Sequence, residues 1–474
     1  MVEVLTPDIC VIGGGPGGLS VASAAAAFGV PTVLIERHKM GGDCLNTGCV
    51  PSKALLAAAR RAQMIQSAGM FGVVAQGIID FSKVHDHVHG VVAAVAPTDS
   101  AERFSALGVR VIRAHAKFKD RNTVVAGETE IRARRFIIAT GSKPAVPPIT
   151  GLDQGPYLTN ETIFDLRERP EHLIIVGAGP IGLEMAQAFR RFGSSVTVLE
   201  AAQPLAMDDR ECAAVVIDRL EREGVIIRSG VKVVSVAHAG HSVTTTIEIA
   251  GAEQTITGSH VMVATGRTPS IDGLALEAAG IRHDRAGIVV NRKLKTSNRR
   301  VYAIGDCAAG QLQFAHAANY HAGLVIRNAL FRLPVRANNS AIPWVTFTEP
   351  ELAQTGLTEA QARERRIGVR VARWPYRDND RAQTERETHG HIKVITTRKG
   401  RIVGATIVGA QAGELIGIWT LAIARGLDMK ALTDFVLPYP TLSELGKRVA
   451  VDFFAPNLTS PWVRRIIGWL RKFG

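Results

Sequence analysis

A duplication constrains this chain more than any other feature. Asp8 to Ile12 is an apolar stretch; Gly13-Gly-Gly15-Pro-Gly-Gly18 follows, then an alanine-rich segment and a second apolar stretch from Thr32 that ends on Glu36. Residues 172 to 200 repeat the plan with Leu173 to Val176, then Gly177-Ala-Gly179-Pro-Ile-Gly182, a helical pattern, and Ser195 to Leu199 ending on Glu200. In each copy the acid stands 23 residues after the first glycine (13 to 36, 177 to 200). One Gly-x-Gly-x-x-Gly is weak evidence. Two, each between strand and helix with the acid at the same distance, specify two βαβ dinucleotide modules and an α/β fold.

The mechanics explain the residue types. Gly13 and Gly177 permit the tight turn, Gly15 and Gly179 let backbone approach a pyrophosphate, and Gly18 and Gly182 let helix and strand pack closely. The helix N-terminus favours the phosphates. Glu36 and Glu200 are placed to accept hydrogen bonds from ribose hydroxyls. No arginine closely follows Glu200, and a carboxylate repels a 2′-phosphate, so NAD(H) is preferred over NADP(H) at the second site. A second echo supports the pairing. Phe136-Ile-Ile-Ala-Thr140-Gly141-Ser-Lys-Pro144 and Val261-Met-Val-Ala-Thr-Gly266-Arg-Thr-Pro269 each read as a buried strand with a glycine turn that closes one module. Val301-Tyr-Ala-Ile-Gly-Asp306 ends another strand on a carboxylate placed to reach the sugar-alcohol chain of a flavin.

Composition narrows the class. At 474 residues, 46% hydrophobic and 21% charged, the chain has ample material for about three packed domains and is not disordered. Five cysteines are too few, and odd in number, for a secreted disulfide framework, so a reducing compartment is expected. The first residues lack a basic n-region, and no apolar run reaches membrane-span length; the expectation is a soluble, cytoplasmic protein. The net charge of +13 is spread along the chain without interleaved aromatics, which argues against a nucleic-acid interface.

Cys44 and Cys49 lie in Gly41-Gly-Asp-Cys-Leu-Asn-Thr-Gly-Cys-Val-Pro-Ser-Lys53 and could be a structural staple, half a metal site or a redox couple. A metal site needs a second ligand cluster, and none lies nearby in sequence. Residues five apart in an ideal helix have Cα atoms about 8.7 Å apart, whereas a disulfide needs less than about 7 Å. If the two bond, the chain between them is looped, which Asn46, Thr47 and Gly48 suit. So short a ring adds little stability, which favours a redox role for such a bridge. Cys10, Cys212 and Cys307 read as structural thiols. His85 and His89 have zinc-compatible i, i+4 spacing but no third ligand, so a solvated helix face is expected and no metal site is assigned.

The Cys44–Cys49 segment resembles the redox-active disulfide signature of the class I pyridine nucleotide–disulfide oxidoreductases, a family that includes dihydrolipoamide dehydrogenase, glutathione reductase and mercuric reductase. The resemblance extends through both fingerprints, Ala303-Ile-Gly-Asp306 and Trp344-Val-Thr-Phe-Thr-Glu-Pro-Glu-Leu352. It implies two Rossmann-like dinucleotide-binding domains plus an α+β C-terminal dimerisation domain. The expected divisions are 1–150 (first part of the FAD domain), 151–275 (NAD), 276–340 (a central domain completing the FAD site), 341–460 (dimerisation) and 461–474 (a basic tail). It further implies FAD at Gly13, Gly15, Gly18, Glu36, Lys53, Thr140, Gly141 and Asp306, and the nicotinamide cofactor at Gly177, Gly179, Gly182, Glu200 and Gly266. Lys53 and Glu184 resemble the family's ion pair beside the flavin. Electrons are then expected to run from NADH through FAD to a Cys44–Cys49 disulfide, with Cys49 as the thiolate beside the flavin and Cys44 exchanging with substrate.

The chain departs from that pattern near its C-terminus. Dithiol-using members carry His-Pro-Thr-x-x-Glu, which a homodimer delivers to the partner's active site; here the stretch is Tyr439-Pro-Thr-Leu-Ser-Glu444. A tyrosine, with a pKa of about 10, is a poor base, and losing general-base help costs about 10²–10⁴-fold in rate. Tyr439 with Glu444 therefore resembles mercuric reductase, whose metal-ion acceptor brings no proton to remove. Yet no cysteine follows Cys307, where mercuric reductases typically carry a further pair. Three readings stand: a disulfide reductase with a non-lipoamide acceptor, a dihydrolipoyl dehydrogenase with another base, and a membrane-associated or scaffold flavoprotein with vestigial turnover. The tail, Pro461 to Gly474, has four basic residues, no acid and an apolar face with two tryptophans. That pattern suits the inner face of an anionic membrane, or packing across the dimer or over its own domain.

Overall fold

A computed structural model describes residues 3–458 and 460–473; Met1, Val2, Thr459 and Gly474 of the sequence reading lie outside the described residues. Two compact units result. One takes residues up to Ala202 together with Val225–Asn339, and the other Gln203–Gly224 together with the chain from Ser340 onward.

The first unit is built on two parallel sheets. In one, the strands run in the order Val301–Ala303, Arg135–Ile138, Ile9–Ile12, Thr32–Glu36, Val109–Arg113, all parallel. Ile9–Ile12 and Thr32–Glu36 are buried at every residue, as expected for strands covered on both faces. Alternation divides them between two cores: Cys10, Ile12, Val33 and Ile35 face one, and Ile9, Val11 and Leu34 the other. The first fingerprint helix, Pro16–Ala27, packs against helix Ala315–Ala329. The second sheet repeats the design with Ile226–Ser229, Ser195–Glu200, His172–Val176 and His260–Val263, again parallel, and carries the second fingerprint helix, Pro180–Arg191. The two glycine turns are tied directly to one another, because Ser142–Pro144 pairs antiparallel with Arg267–Pro269.

The second unit is an antiparallel sheet, Trp344–Thr346, Glu351–Gly356, Ile402–Gly409, His391–Thr397, Val369–Pro375, with helices Ala412–Arg425 and Glu444–Leu458. Trp419, Tyr376, Ile407 and Val449 fill its core. Helix Arg210–Arg222, which falls within residues 151–275 of the sequence reading, groups with this sheet. Lys393, almost wholly buried, lies 2.8 Å from Asp209, 3.0 Å from Glu211 and 2.9 Å from Glu359; so deep an ammonium requires carboxylates around it. The architecture is the expected one, two dinucleotide-binding modules in an α/β chain with an α+β C-terminal part.

Candidate active site

The two fingerprints are equivalent in space as well as in sequence. Gly13 and Gly177 have φ of 109° and 110°. A Cβ at Gly18 would lie 1.9 Å from the Gly13 carbonyl oxygen, and one at Gly182 would lie 2.0 Å from that of Gly177. Any side chain there would push helix away from strand. Gly15 and Gly179 are the N-caps and provide no side-chain cap, so the first-turn N–H groups point at the space where a pyrophosphate would sit. Glu36 accepts from the N–H groups of Gly14 and His38, both at 2.6 Å; Glu200 accepts from those of Ala178 and Ala202 at 2.8 and 2.9 Å. Each carboxylate is aimed by backbone and keeps lone pairs for ribose hydroxyls.

The dithiol sits against the first fingerprint. A Cβ on Gly42 would lie 2.7 Å from Gly15 Cα, so the loop and the glycine turn touch through backbone. The short helix Gly42–Asn46 carries Cys44, the chain breaks at Thr47 and Gly48, and Cys49 opens the long helix Cys49–Ser67. Both sulfurs are thiols here, joined by a hydrogen bond from Cys44 to Cys49 that makes them unequal. That bond, above all, lowers the Cys49 pKa to about 7, against the opposing effect of burial and with help from the Lys53 charge. The same bond, with burial and the charges of Cys49 and Asp43, pushes Cys44 far up. Lys53, one helical turn beyond Cys49, meets Glu184 at 2.9 Å. Glu184 is nearly buried on the second fingerprint helix, so this ion pair links the dithiol helix to the second module.

A charged network that sequence reasoning did not find fixes the loop. Asp43 accepts from Thr47 Oγ1 at 2.6 Å and from Asn160 Nδ2 at 3.1 Å, and pairs with Arg267 Nη2 at 2.9 Å. Arg267 Nε donates to Ser142 Oγ at 2.7 Å, and Ser142 Oγ donates to Asp306 Oδ2 at 2.6 Å. The dithiol loop is thereby joined, through Arg267 and Ser142, to the carboxyl expected at a flavin's sugar-alcohol chain. Burial raises the Asp306 pKa, and the Ser142 bond and the Arg267 charge work against that rise. Thr140 and Gly141 lie in the same turn, Thr140 beside the Cys307 thiol. Gly266 and Arg267 are neighbours, so Arg267 was visible in the Ala-Thr-Gly-Arg echo; Asn160 gave no signal. An uncapped helix start, an aimed acid and a buried carboxyl are the groups that a pyrophosphate, a ribose and a sugar alcohol require, so the residues fit a flavin dinucleotide.

Tyr439 and Glu444 belong to the second unit. The Tyr439 hydroxyl donates to Asp380 Oδ2 at 2.7 Å, and that bond raises the phenol pKa further, Glu444 adding only its charge. Asp380 was not anticipated. Cys10, Cys212 and Cys307 are all buried. The His85 and His89 ring centroids lie 4.1 Å apart, with the rings tilted by 40°. His85 is not on a solvated face, its side chain being 10% exposed, and His89 Nε2 meets the Phe164 carbonyl. Among the described residues no three His, Cys, Asp or Glu side chains could hold a metal, and no helix is long and apolar enough to cross a membrane.

Comparison with known proteins agrees with this geometry. Residues 7–322 match the pyridine nucleotide-disulphide oxidoreductase family and residues 342–450 its dimerisation domain, which indicates a homodimer. The chain is 35% identical to a mercuric reductase of Staphylococcus aureus, over 94% of this chain and 82% of that one. It is 38% identical to a dihydrolipoyl dehydrogenase of Thermus scotoductus, over 93% and 95%. Among solved structures it is similar to the HOCl-induced flavoprotein disulfide reductase RclA of Escherichia coli (TM-score 0.84, 28% identity, 94% of this chain and 99% of that one). The same holds for LpdA of Mycobacterium tuberculosis (TM-score 0.87, 26% identity, 95% and 100%). The chain belongs to the FAD-dependent pyridine nucleotide–disulphide oxidoreductase family.

Proposed function

We propose that the protein takes electrons from NADH and releases them from the Cys44–Cys49 pair to a thiophilic metal ion. The observation that carries this reading is the unequal thiol pair at the start of helix Cys49–Ser67, on the fingerprint turn, with Lys53 reaching the second module through Glu184. Gly13, Gly15, Gly18, Glu36, Lys53, Thr140, Gly141 and Asp306 are assigned to FAD, which when bound supplies two-electron transfer between nicotinamide and sulfur. Gly177, Gly179, Gly182, Glu200 and Gly266 are assigned to the nicotinamide cofactor. Glu200, followed by Ala201 and Ala202, favours NADH over NADPH.

Cys49, acidic near neutral pH, is the thiolate-forming sulfur; Cys44, the proton donor in their bond, exchanges with the acceptor. In the homodimer Tyr439 and Glu444 complete the partner's site. There Tyr439, its proton committed to Asp380, orients rather than accepts protons. An acceptor that arrives without a proton suits such a site: two electrons from NADH reduce a divalent ion to the metal, with NAD⁺ and one proton released. Relatives at similar identity include mercuric reductases and dihydrolipoyl dehydrogenases, and the Escherichia coli relative is known as a Cu(II) complex. Five cysteines, few and odd in number, fit a reducing compartment, and the cytoplasm is the proposed setting.

The test is NADH oxidation by the FAD-loaded dimer with mercuric and cupric ions, quinones and lipoamide in turn. Metal-driven turnover that Cys49→Ser abolishes is expected. With NAD⁺ in place of NADH, dihydrolipoamide turnover should be low and should rise on the order of 10²-fold in Tyr439→His. Robust wild-type turnover of dihydrolipoamide would instead establish a dihydrolipoyl dehydrogenase, and no NADH-driven appearance of thiols would leave only a scaffold.

A further inference from the structure

The C-terminal helix, Pro461–Leu470, has no buried residue. Trp462, Ile467, Trp469, Leu470 and Phe473 are between 51% and 72% exposed, and the Trp469 and Phe473 rings touch edge to face at 4.9 Å. At 100° per residue these side chains, with Val463 and Ile466, fall on one side of the helix, while Arg464, Arg465, Arg471 and Lys472 fall on the other. No acid lies between Pro461 and Phe473. A soluble protein seldom exposes so large an apolar set without an occupant.

Two observations identify the occupant. The matched dimerisation domain ends at residue 450, eleven residues before the helix begins, so the segment lies outside that matched domain. Within the helix segment the apolar face is flanked by cations and by no acid, so the same helix of a second copy laid against it would bring four further positive charges and no anion. We propose that this helix lies flat on an anionic lipid surface, its tryptophans at the headgroup level, its apolar side in the acyl boundary and its cations against lipid phosphates. The proposal is independent of the acceptor: it concerns where the reductase works, and holds or fails whatever the thiols reduce.

Co-sedimentation of the full-length, FAD-loaded protein with vesicles tests it. Vesicles of phosphatidylcholine with about one-third phosphatidylglycerol should bind at least tenfold more protein than phosphatidylcholine alone. Binding should fall as salt rises from 20 to 300 mM, because the electrostatic part is screened. Arg464→Gln with Arg465→Gln should weaken binding on the order of tenfold, each cation being worth a few-fold at such a surface. Trp462→Ser with Trp469→Ser should weaken binding to both vesicle types, and truncation after Ser460 should abolish it. NADH oxidation with a soluble acceptor should be unchanged in all of these variants, and size-exclusion chromatography should still show a dimer. Equal sedimentation of the truncated and intact proteins, or no binding at 20 mM salt, would overturn the proposal. So would dissociation of the truncated protein into monomers, which would assign the face to a second copy.

Discussion

The acidity of Cys49 can be tested through Lys53. Lysine at that position is i+4 from the thiol, so the two Cβ atoms lie about 5–6 Å apart, and roughly 6 Å sets the scale of the charge separation. At that distance and an effective dielectric of about 40–80, removing the charge destabilises the thiolate by roughly 0.7–1.4 kcal/mol, or about 0.5–1 pKa unit. Lys53 is 38% exposed, which places it toward the screened end of that range. The sign is unambiguous: losing a cation raises a thiol pKa. Starting from about 7, Lys53→Gln should reduce the thiolate fraction at pH 7 from about one half to about 10–25%. Iodoacetamide labelling of the reduced protein, with Cys49 followed by mass spectrometry from pH 5.5 to 9.5, should therefore slow two- to five-fold at pH 7 and converge with wild type at the alkaline end. Lys53→Arg, which keeps the charge, should keep the midpoint. An unchanged midpoint in Lys53→Gln, or an equal shift in Lys53→Arg, would refute the electrostatic account and leave the Cys44 hydrogen bond as the whole cause.

Arg267 should act on the same thiol from the other side. Arg267→Gln leaves the Asp43 carboxylate without its counter-charge and raises the Cys49 midpoint by roughly half a unit, Asp43→Asn lowers it, and in the double variant the arginine change has no further effect; alkylation profiles read all three. Gly18→Ala, which drives a methyl into the Gly13 carbonyl, should yield protein lacking the flavin absorbance near 450 nm, whereas Gly182→Ala should retain flavin and raise the KM for NADH about tenfold or more. Glu211 predicts an acid-sensitive second unit. Hydrogen bonding to Arg373, with Lys393, holds its pKa down to about 2 from 4.5. Its contribution to stability is therefore complete above about pH 4.5 and disappears as pH falls toward 2. With the side chain 41% exposed, that contribution is about 1–2 kcal/mol after discounting for solvent. Urea unfolding at pH 7 and pH 3 should show the loss in wild type and its absence in Glu211→Gln.

Local rules made much of this legible. The two fingerprints announce their strands, helices and acids because each glycine answers a steric demand within a few residues, whereas the backbone hold on Glu36 and Glu200 is seen only in the structure. The break between Asn46 and Cys49 was foreseeable from the distance a helix imposes. What escaped depends on residues far apart in the chain. Asp43 with Arg267, Arg267 with Ser142 and Tyr439 with Asp380 join positions from 59 to 224 residues apart, and no periodicity marks such pairs. Helix Arg210–Arg222 is the crossover between the parallel strands Ser195–Glu200 and Ile226–Ser229, and nothing in its sequence announces that Asp209 and Glu211 surround the buried Lys393.

The thiol pair and Tyr439 together narrow the chemistry. A base beside a dithiol has two tasks, generating thiolate on the enzyme and removing a proton from an incoming thiol. At a pKa of about 7, Cys49 is already about half ionised at neutral pH, so a histidine would gain that sulfur at most about twofold, while Cys44, whose pKa is pushed far up, gives up its proton only as it binds the metal ion. The second task is different: an ordinary thiol near pKa 8.5 still needs an acceptor for its proton, and Tyr439, bound to Asp380 with its own pKa raised, offers none. If, as proposed, Tyr439 completes the partner's dithiol site in the homodimer, that site would be prepared for the half of the reaction that a metal ion requires and unprepared for the half that a dithiol requires. That asymmetry is why Tyr439→His should restore dithiol turnover while leaving reduction of a metal ion nearly unchanged.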